Sequence, residues 1–197
     1  MNYQQPTVRQ YFRAAIVTAL IGFLAAGSVQ AMEPDEMVGQ EVYTLTNLRP
    51  DEQNQRLYVV NYQQPGRIKV CTKVKIEKLN RKKMIFRIAE SNRKYEYLHH
   101  RKAAPEGFDE NIKKYFGPEC PQAEIDAMSA VNKEGIEKGR TKVGMTRRGV
   151  IIAIGYPPEH VTPDREYDEW SYWMNKFVTH RLVFGDDGKV SQAMPSR

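Results

Sequence analysis

The chain contains 197 residues and carries a formal net charge of +6 at pH 7. Its length suits one domain or two small ones. After residue 31 no apolar run approaches the ~20 residues that a membrane-spanning helix requires, so we expect no transmembrane segment there.

The N-terminal residues 1–31 have the features of a secretory signal peptide. Two arginines precede an apolar run over 14–27, and Val29 and Ala31 fit the small-residue pattern of a cleavage site. A bacterial lipid anchor would need a cysteine directly after the apolar run, whereas the nearest cysteine is Cys71. We therefore expect a cleaved signal and a periplasmic or secreted protein without a lipid anchor.

Five short segments with a period of two follow the signal peptide. Their alternation of apolar and polar residues, with polar turns between them, is typical of short β-strands. We predict a small antiparallel β-barrel, SH3-like in size, over residues 32–105. The predicted strands are 42–45, 56–62, 68–76, 84–88 and 95–98.

The basic character of the chain is concentrated in one segment. Residues 67–102 contain thirteen lysines or arginines against three acidic residues, a net charge of +10. On the third predicted strand the apolar residues share one face and the lysines the other, and the following turn extends the charge. The candidate binding residues are Lys69, Lys73, Lys75, Arg81, Lys82 and Lys83.

Such a basic face attracts polyanions. Because an exported protein does not meet nucleic acid, we expect an anionic lipid or glycan, or another envelope protein, as the partner. The alternative is that the lysines only solvate one face of the sheet and protect its edge from pairing.

The chain has two cysteines, Cys71 and Cys120. In an oxidising compartment such a pair predicts one structural disulfide, and the alternative is two separately buried thiols. No zinc-ligand spacing accompanies them, and we expect neither a metal nor a cofactor.

The C-terminal part changes to a helical pattern. A short helix is predicted over 108–117, within a linker at 106–120, and a second segment over 121–139 has helical spacing. Thr146 is a suitable N-cap for a further helix that ends at Gly155. Three strands follow, so we predict an α+β layer over 121–197, with two helices packed on a three-stranded antiparallel meander.

Several motifs of this region occur in an order that resembles the BamE (SmpA/OmlA) domain, over about 121–194. Members of that family are small, non-enzymatic lipoproteins of the outer-membrane β-barrel assembly machinery, so the resemblance implies a contact role and a peripheral outer-membrane contact. The chain departs from the family in lacking the lipid-anchor cysteine and in having Gly149 where the pattern has Glu or Gln. The motifs are Gly144-Met145-Thr146, Ile154-Gly155-Tyr156-Pro157, Trp170-Ser171-Tyr172, Leu182-Val183-Phe184 and Gly188-Lys189-Val190.

No nucleophile or zinc signature surrounds any of the four histidines, so we predict no catalytic residue. An envelope hydrolase is the competing interpretation. In it, the 155–177 loop would supply His160 and a carboxylate from Asp164, Glu166 or Asp168.

The aromatic residues of the first C-terminal strand alternate in direction. Trp170 and Tyr172 are expected to pack on the helices, since large aromatic residues dominate small cores. Trp173 then points the other way, either as an exposed contact residue near Phe177 or buried against the N-terminal domain. Together these features predict a non-enzymatic exported adaptor, with a purely structural domain pair as a further alternative.

Overall fold

Two β-sheets and four α-helices make up the part of the chain that the computed structural model describes, residues 32–101, 105–174 and 177–195. The chain has the predicted α+β class, and the predicted signal peptide lies outside the described residues. The first sheet contains β1 (Glu41–Thr44), β2 (Arg56–Tyr58), β3 (Lys73–Leu79), β4 (Lys83–Ile88), β5 (Lys94–Leu98) and β6 (Phe116–Gly117). The second contains β7 (Glu169–Trp173), β8 (Thr179–Phe184) and β9 (Val190–Pro195). The helices are α1 (Phe108–Tyr115), α2 (Gln122–Ala127), α3 (Ala130–Lys138) and α4 (Arg147–Ile154).

The first sheet is curled and has the strand order β2-β5-β4-β3-β1-β6. Its pairings are antiparallel except at one edge, where β2 runs parallel to β5. The prediction of a wholly antiparallel barrel is therefore wrong at that edge. The strand predicted over 56–62 also ends at Tyr58, because the chain turns at Asn61, whose φ is 44°, and then leaves the sheet to contact α4.

The third predicted strand is shorter than expected at its start. It begins at Lys73 rather than at residue 68, because Cys71 has a φ of 65°, which a continuous strand cannot contain. The amide of Thr72 instead closes a turn on the carbonyl of Lys69. The prediction that Lys69, Lys73 and Lys75 form one row on one strand is therefore wrong for Lys69.

Alternation along β3, β4 and β5 builds the first hydrophobic core. Val74, Ile76 and Phe86 are fully buried on one face, as successive strand residues point to opposite sides. Helix α1 covers this face with Ile112 and Tyr115, both buried in the same cluster.

The helical segment predicted over 121–139 is two helices rather than one. Met128 and Ser129 have extended backbone conformations, which end α2 and begin α3. The break lets Ile125 and Ile136 both reach the second hydrophobic cluster. With α4, three helices rather than two belong to the C-terminal layer.

Helix α4 begins and ends where the sequence predicted. The hydroxyl of Thr146 accepts a hydrogen bond from the amide of Gly149 at 3.1 Å, which is the N-cap interaction. Gly155 follows the helix with a φ of 87°. Gly149 leaves room for the amide of Asn132 on α3, which a β-carbon would strike, so the absence of Glu or Gln at this position has a packing reason.

The second sheet is an antiparallel meander in the order β7-β8-β9. Trp170, Tyr172, Leu182 and Phe184 are buried in one cluster with residues of α4. The predicted orientation of Trp170 and Tyr172 is confirmed. The tyrosine hydroxyl also donates to the carbonyl of Gly155 at 3.0 Å.

The predicted disulfide between Cys71 and Cys120 is present, with Cα atoms 4.8 Å apart. It links the turn before β3 to the segment before α2 and closes a loop with a sequence separation of 49 residues. A cross-link of that span stabilises a folded chain by about 4 kcal/mol in the chain-entropy treatment.

Two buried asparagines attach α4 to the N-terminal part of the chain. The side-chain amide of Asn47 donates to the carbonyls of Ile136 and Ala153, at 2.8 and 2.9 Å. That of Asn61 donates to the carbonyl of Ile154 at 2.8 Å. The last carbonyls of a helix have no partner within it, so these bonds satisfy the ends of α3 and α4 from outside.

None of the helices in the described ranges is both long and apolar enough to cross a lipid bilayer.

Candidate ligand-binding cleft

The predicted basic face of the first sheet is partly neutralised by carboxylates. Lys73 pairs with Glu41 across 3.5 Å, and Lys83 pairs with Glu96 at 2.6 Å. Lys69, displaced by the turn at Cys71, pairs with Glu137 of α3 at 2.7 Å. Three of the six predicted binding residues thus have acidic partners.

The other three predicted residues lie at the solvent-exposed side of the same sheet. Lys75 is on β3, and Arg81 and Lys82 are in the turn between β3 and β4. All three are exposed and form no ion pair within the described part of the chain. Trp173, the seventh predicted residue, lies in the other sheet, on β7.

Two of the candidate carboxylates in the 155–177 loop take part in structural contacts. Asp164 accepts a hydrogen bond from the amide of Glu166 at 2.9 Å, and Asp168 pairs with Arg147 at 3.0 Å. The ring of His160 stacks on Trp173, with centroids 6.2 Å apart and planes at 12°. Among the described residues no group of three or more His, Cys, Asp or Glu side chains could hold a metal ion.

Trp173 fits neither of its two predicted environments fully. It is half-buried, and its indole nitrogen is enclosed without a hydrogen-bond partner among the described residues. Its carbonyl accepts the amide of Gln63 at 3.0 Å, so it contacts the N-terminal part through the backbone. The most exposed aromatic residue of this hairpin is Phe177, at 82%.

A cleft of about 450 Å³ opens between the N-terminal part and the C-terminal layer. Five elements form it: the segment between β1 and β2, the loop after β2, the loop after α3, the end of α4, and the helix-facing side of the second sheet. The apolar lining consists of Pro65, Ile154, Met174 and Ala193, and the polar lining includes Arg49, Gln63, Arg140, Thr141 and His180.

The cleft exists because the helical layer ends before the sheet does. Helix α3 stops at Gly139, which has a φ of 59°, and α4 stops at Ile154. Ala193 is in register with Leu182, so the two share a face of the sheet. Leu182 is buried under the helices, whereas Ala193 is exposed.

Arg49 is the most constrained cation of the cleft. One terminal nitrogen donates to the carbonyl of Gly139, while its Nε is buried without a hydrogen-bond partner in the described residues. Burial, and then the neighbouring charge of Arg67, lower the pKa of the Arg49 guanidinium. Its charge is therefore poorly solvated, and an anion near it would be favoured.

Arg67 and Arg140 border an adjoining open depression of about 610 Å³, which shares Arg49, Pro65 and Arg140 with the cleft. Arg67 donates to the carbonyl of Glu137. Arg140 is exposed and forms no ion pair or side-chain hydrogen bond within the described ranges.

The positive charge here is not balanced locally. Among the described residues, Glu137 is the one carboxylate that lines the depression, and it already pairs with Lys69. The lysines at 138 and 142 both bind Glu134, whose pKa their hydrogen bonds lower to about 2. We call Arg49, Arg67 and Arg140 the arginine cluster.

Gly139 is needed for the arginine cluster to assemble. A β-carbon at this position would lie 2.8 Å from Cδ of Arg67 and 3.1 Å from a terminal nitrogen of Arg49. The side chains therefore cross directly over the end of α3, where cations interact favourably with the carbonyls.

His180 lies on the wall of the cleft. Burial lowers the pKa of its imidazole, and its Nε2 is 3.5 Å from the hydroxyl of Thr141. The ring is thus held mainly in its neutral form at neutral pH.

Sequence reasoning missed the arginine cluster because its members stand far apart at positions 49, 67 and 140, with no motif around them. The usable signal was weak: Gly139 predicted a helix end, but nothing indicated which side chains would cover it.

Comparisons of the chain with protein-family models, with curated proteins and with solved structures found no match.

Proposed function

We propose that this protein is an exported, non-enzymatic binding module of the bacterial envelope, which holds an anionic group of its partner at the arginine cluster. The partner would be another envelope protein, or an anionic lipid or glycan. The observation that carries the proposal is the excess of positive charge at this cleft, where Glu137 is already paired with Lys69.

An anion should bind more favourably at the cleft than at the predicted basic face. On the sheet, Lys73 and Lys83 already have carboxylate partners, and the unpaired Lys75 and Lys82 are exposed to water, which screens their charge. At the cleft, Arg49 has a buried nitrogen without an acceptor and Arg140 has no partner among the described residues. Guanidinium groups also suit carboxylate and phosphate because their donors form a planar fork.

The proposal includes the finer family assignments. The curled first sheet would be an SH3-like module, and the C-terminal layer a BamE-like contact domain. The order of helices before an antiparallel meander supports the second assignment, as do Gly155 and Trp170 at the positions that the motifs require. A role in outer-membrane assembly or maintenance would follow from it.

The test compares two matched double variants of the full chain, purified from the periplasm of a bacterial host. Arg49→Gln with Arg140→Gln removes two charges from the cleft, and Lys75→Gln with Lys82→Gln removes two from the sheet. We expect the first pair to weaken retention of anionic envelope vesicles strongly and the second to weaken it slightly. Retention should fall as salt rises past about 0.1 M, where the Debye length is ~10 Å.

Two results would contradict the proposal. Equal loss in both double variants would show that only net charge matters. Failure of the wild-type protein to bind anionic vesicles, wall polymers or envelope proteins at low salt would remove the binding function itself.

A further inference from the structure

The walls of the cleft favour a ligand that has an apolar part as well as an anionic group. This inference rests on the proposed function. Pro65, Ile154, Met174 and Ala193 provide apolar surface directly beside Arg49 and Arg140. An inorganic anion would contact the guanidinium groups and leave these walls in water. A ligand that also covers them gains hydrophobic free energy in proportion to the area buried.

The size of the cleft limits the apolar part of the ligand. A volume of about 450 Å³ lies within the range of about 300–1,000 Å³ that is usual for small-molecule sites. It suits one flexible chain or a few rings rather than a broad polymer surface.

Contact between the apolar chain of the ligand and the walls of the cleft should strengthen the ion pair between the ligand's anionic group and Arg49. An apolar chain that covers the cleft excludes water from Arg49, and charges attract more strongly in a medium of lower effective dielectric constant. Since Arg49 is already partly desolvated, little further cost arises on the protein side. Head group and chain are therefore expected to bind cooperatively.

The backbone of the two loops that line the cleft argues against an extended peptide paired with them. Peptides that bind by adding a strand rely on free backbone donors. Here the amide of Gln63 donates to the carbonyl of Trp173, that of Gln64 to Tyr62, and that of Arg140 to Gly135. The lining offers apolar side chains and guanidinium groups, together with a few neutral polar side chains.

We propose that the cleft binds a single-chain anionic amphiphile, with its carboxylate or phosphate at Arg49 and Arg140 and its apolar chain against Ile154, Met174 and Ala193. The two head groups share one recognition chemistry, and the experiment separates them.

The test is isothermal titration of the full chain with dodecanoate and with dodecyl phosphate, each below the concentration at which it forms micelles. Acetate and inorganic phosphate are the head-group controls, and an uncharged dodecyl detergent is the chain control. We expect the charged dodecyl ligands to bind at least tenfold more tightly than the small anions, since burial of about two methylene groups already gives that factor. The tighter of the two identifies the preferred head group.

Two pairs of variants locate the site. Ala193→Trp fills the cleft from an exposed strand position and should abolish the gain in affinity that the ligand's dodecyl chain provides. Gln192→Trp, on the opposite face of β9, should leave that gain unchanged. Arg140→Gln should weaken the charged ligands at least threefold, whereas Lys82→Gln on the first sheet should leave them unchanged. All four positions are exposed, so the variants should fold, which near-ultraviolet circular dichroism checks.

The outcomes separate this inference from the proposed function. If acetate, phosphate and the dodecyl ligands bind equally and Arg140→Gln weakens all of them, the amphiphile is excluded while the anion site stands. If the uncharged detergent binds as tightly as dodecanoate, the cleft does not recognise charge. That result would contradict both the amphiphile assignment and the proposed function. Tighter binding of a peptide with a free C-terminal carboxylate than of dodecanoate would also overturn the amphiphile assignment.

Discussion

The outer face of the first sheet and the arginine cluster both gather cations, but they differ in how those cations are balanced. On the sheet, Lys73 and Lys83 pair with glutamates on the adjacent strands, and the unpaired Lys75 and Lys82 are exposed. At the cluster, Arg49 and Arg140 have no carboxylate partner within the described residues. Counting charges along the sequence therefore identifies basic segments. Whether their positive charge stays unpaired depends on which acidic residues the fold brings near them.

The two regions also differ in the contacts that stabilise them. The sheet face depends on strand pairing within residues 41–98, while the cleft depends on contacts between segments about 90 residues apart, such as that of Arg49 with Gly139. The cleft should thus be the more sensitive of the two to loss of long-range links.

The largest effect should come from removing the disulfide. For Cys71→Ser with Cys120→Ser we expect the free energy of unfolding to fall by about 4 kcal/mol, because the unfolded chain regains the entropy of a loop of about 50 residues. Denaturant titration of the oxidised wild type and the double variant measures the difference. The reduced wild-type protein is the control and should match the variant. A loss of less than about 1 kcal/mol would show that the halves are held together without the covalent link.

The next effect concerns Asn47, which joins the two halves through hydrogen bonds. Asn47→Ala leaves the carbonyls of Ile136 and Ala153 and the amide of Val70 without this partner. We expect a loss of about 3 kcal/mol, since each buried polar group left unsatisfied costs about 1–3 kcal/mol and some will rebond to water. Denaturant titration against Gln192→Ala, an exposed control, tests it, and equal stability of the two variants would contradict it.

A smaller effect should separate paired from unpaired cations. Lys83→Gln removes an ion pair with Glu96 and should lower stability by up to about 1 kcal/mol, the usual range for surface pairs. Arg140→Gln should change stability by less than about 0.5 kcal/mol, as expected for a surface site without partners. Thermal unfolding at low and high salt measures both. A larger loss at Arg140 than at Lys83 would reverse the comparison of the two regions.

The smallest effect is the pH dependence that His180 contributes. Because burial lowers its pKa in the folded state, the unfolded chain binds a proton more readily below about pH 6.5, and stability is lost as the pH falls through that value. His180→Gln should reduce the change in the thermal unfolding midpoint between about pH 7.5 and 5.5. The control variant His100→Gln, at an exposed position, should leave that change as in the wild type. An unchanged slope in His180→Gln would refute the assignment.

Much of the fold could be predicted from local pattern. Alternation placed Val74 and Ile76 in the core, and Thr146 and Gly155 bounded α4, because strand periodicity and helix capping depend on neighbouring residues. The pattern failed where backbone conformation was set from a distance. The positive φ of Cys71 accompanies a disulfide to Cys120, and no local signal revealed it.

The candidate site was predicted less well than the fold. Lysines close together in sequence suggested a binding face, but their glutamate partners come from other strands and from α3. The arginines at 49, 67 and 140 have no common motif, and they meet because Gly139 lets two of them cross the end of α3.

The sequence by itself determined the α+β class, the alternation of the main strands, the limits of α4 and the only possible pairing of its two cysteines. These features follow from short-range periodicity, from capping chemistry, or from there being a single partner for each thiol. The tertiary structure decided the parallel edge of the first sheet, the balance of its charges and the existence of the cleft. Each of these depends on contacts between residues far apart in the chain, whose distances no local pattern encodes.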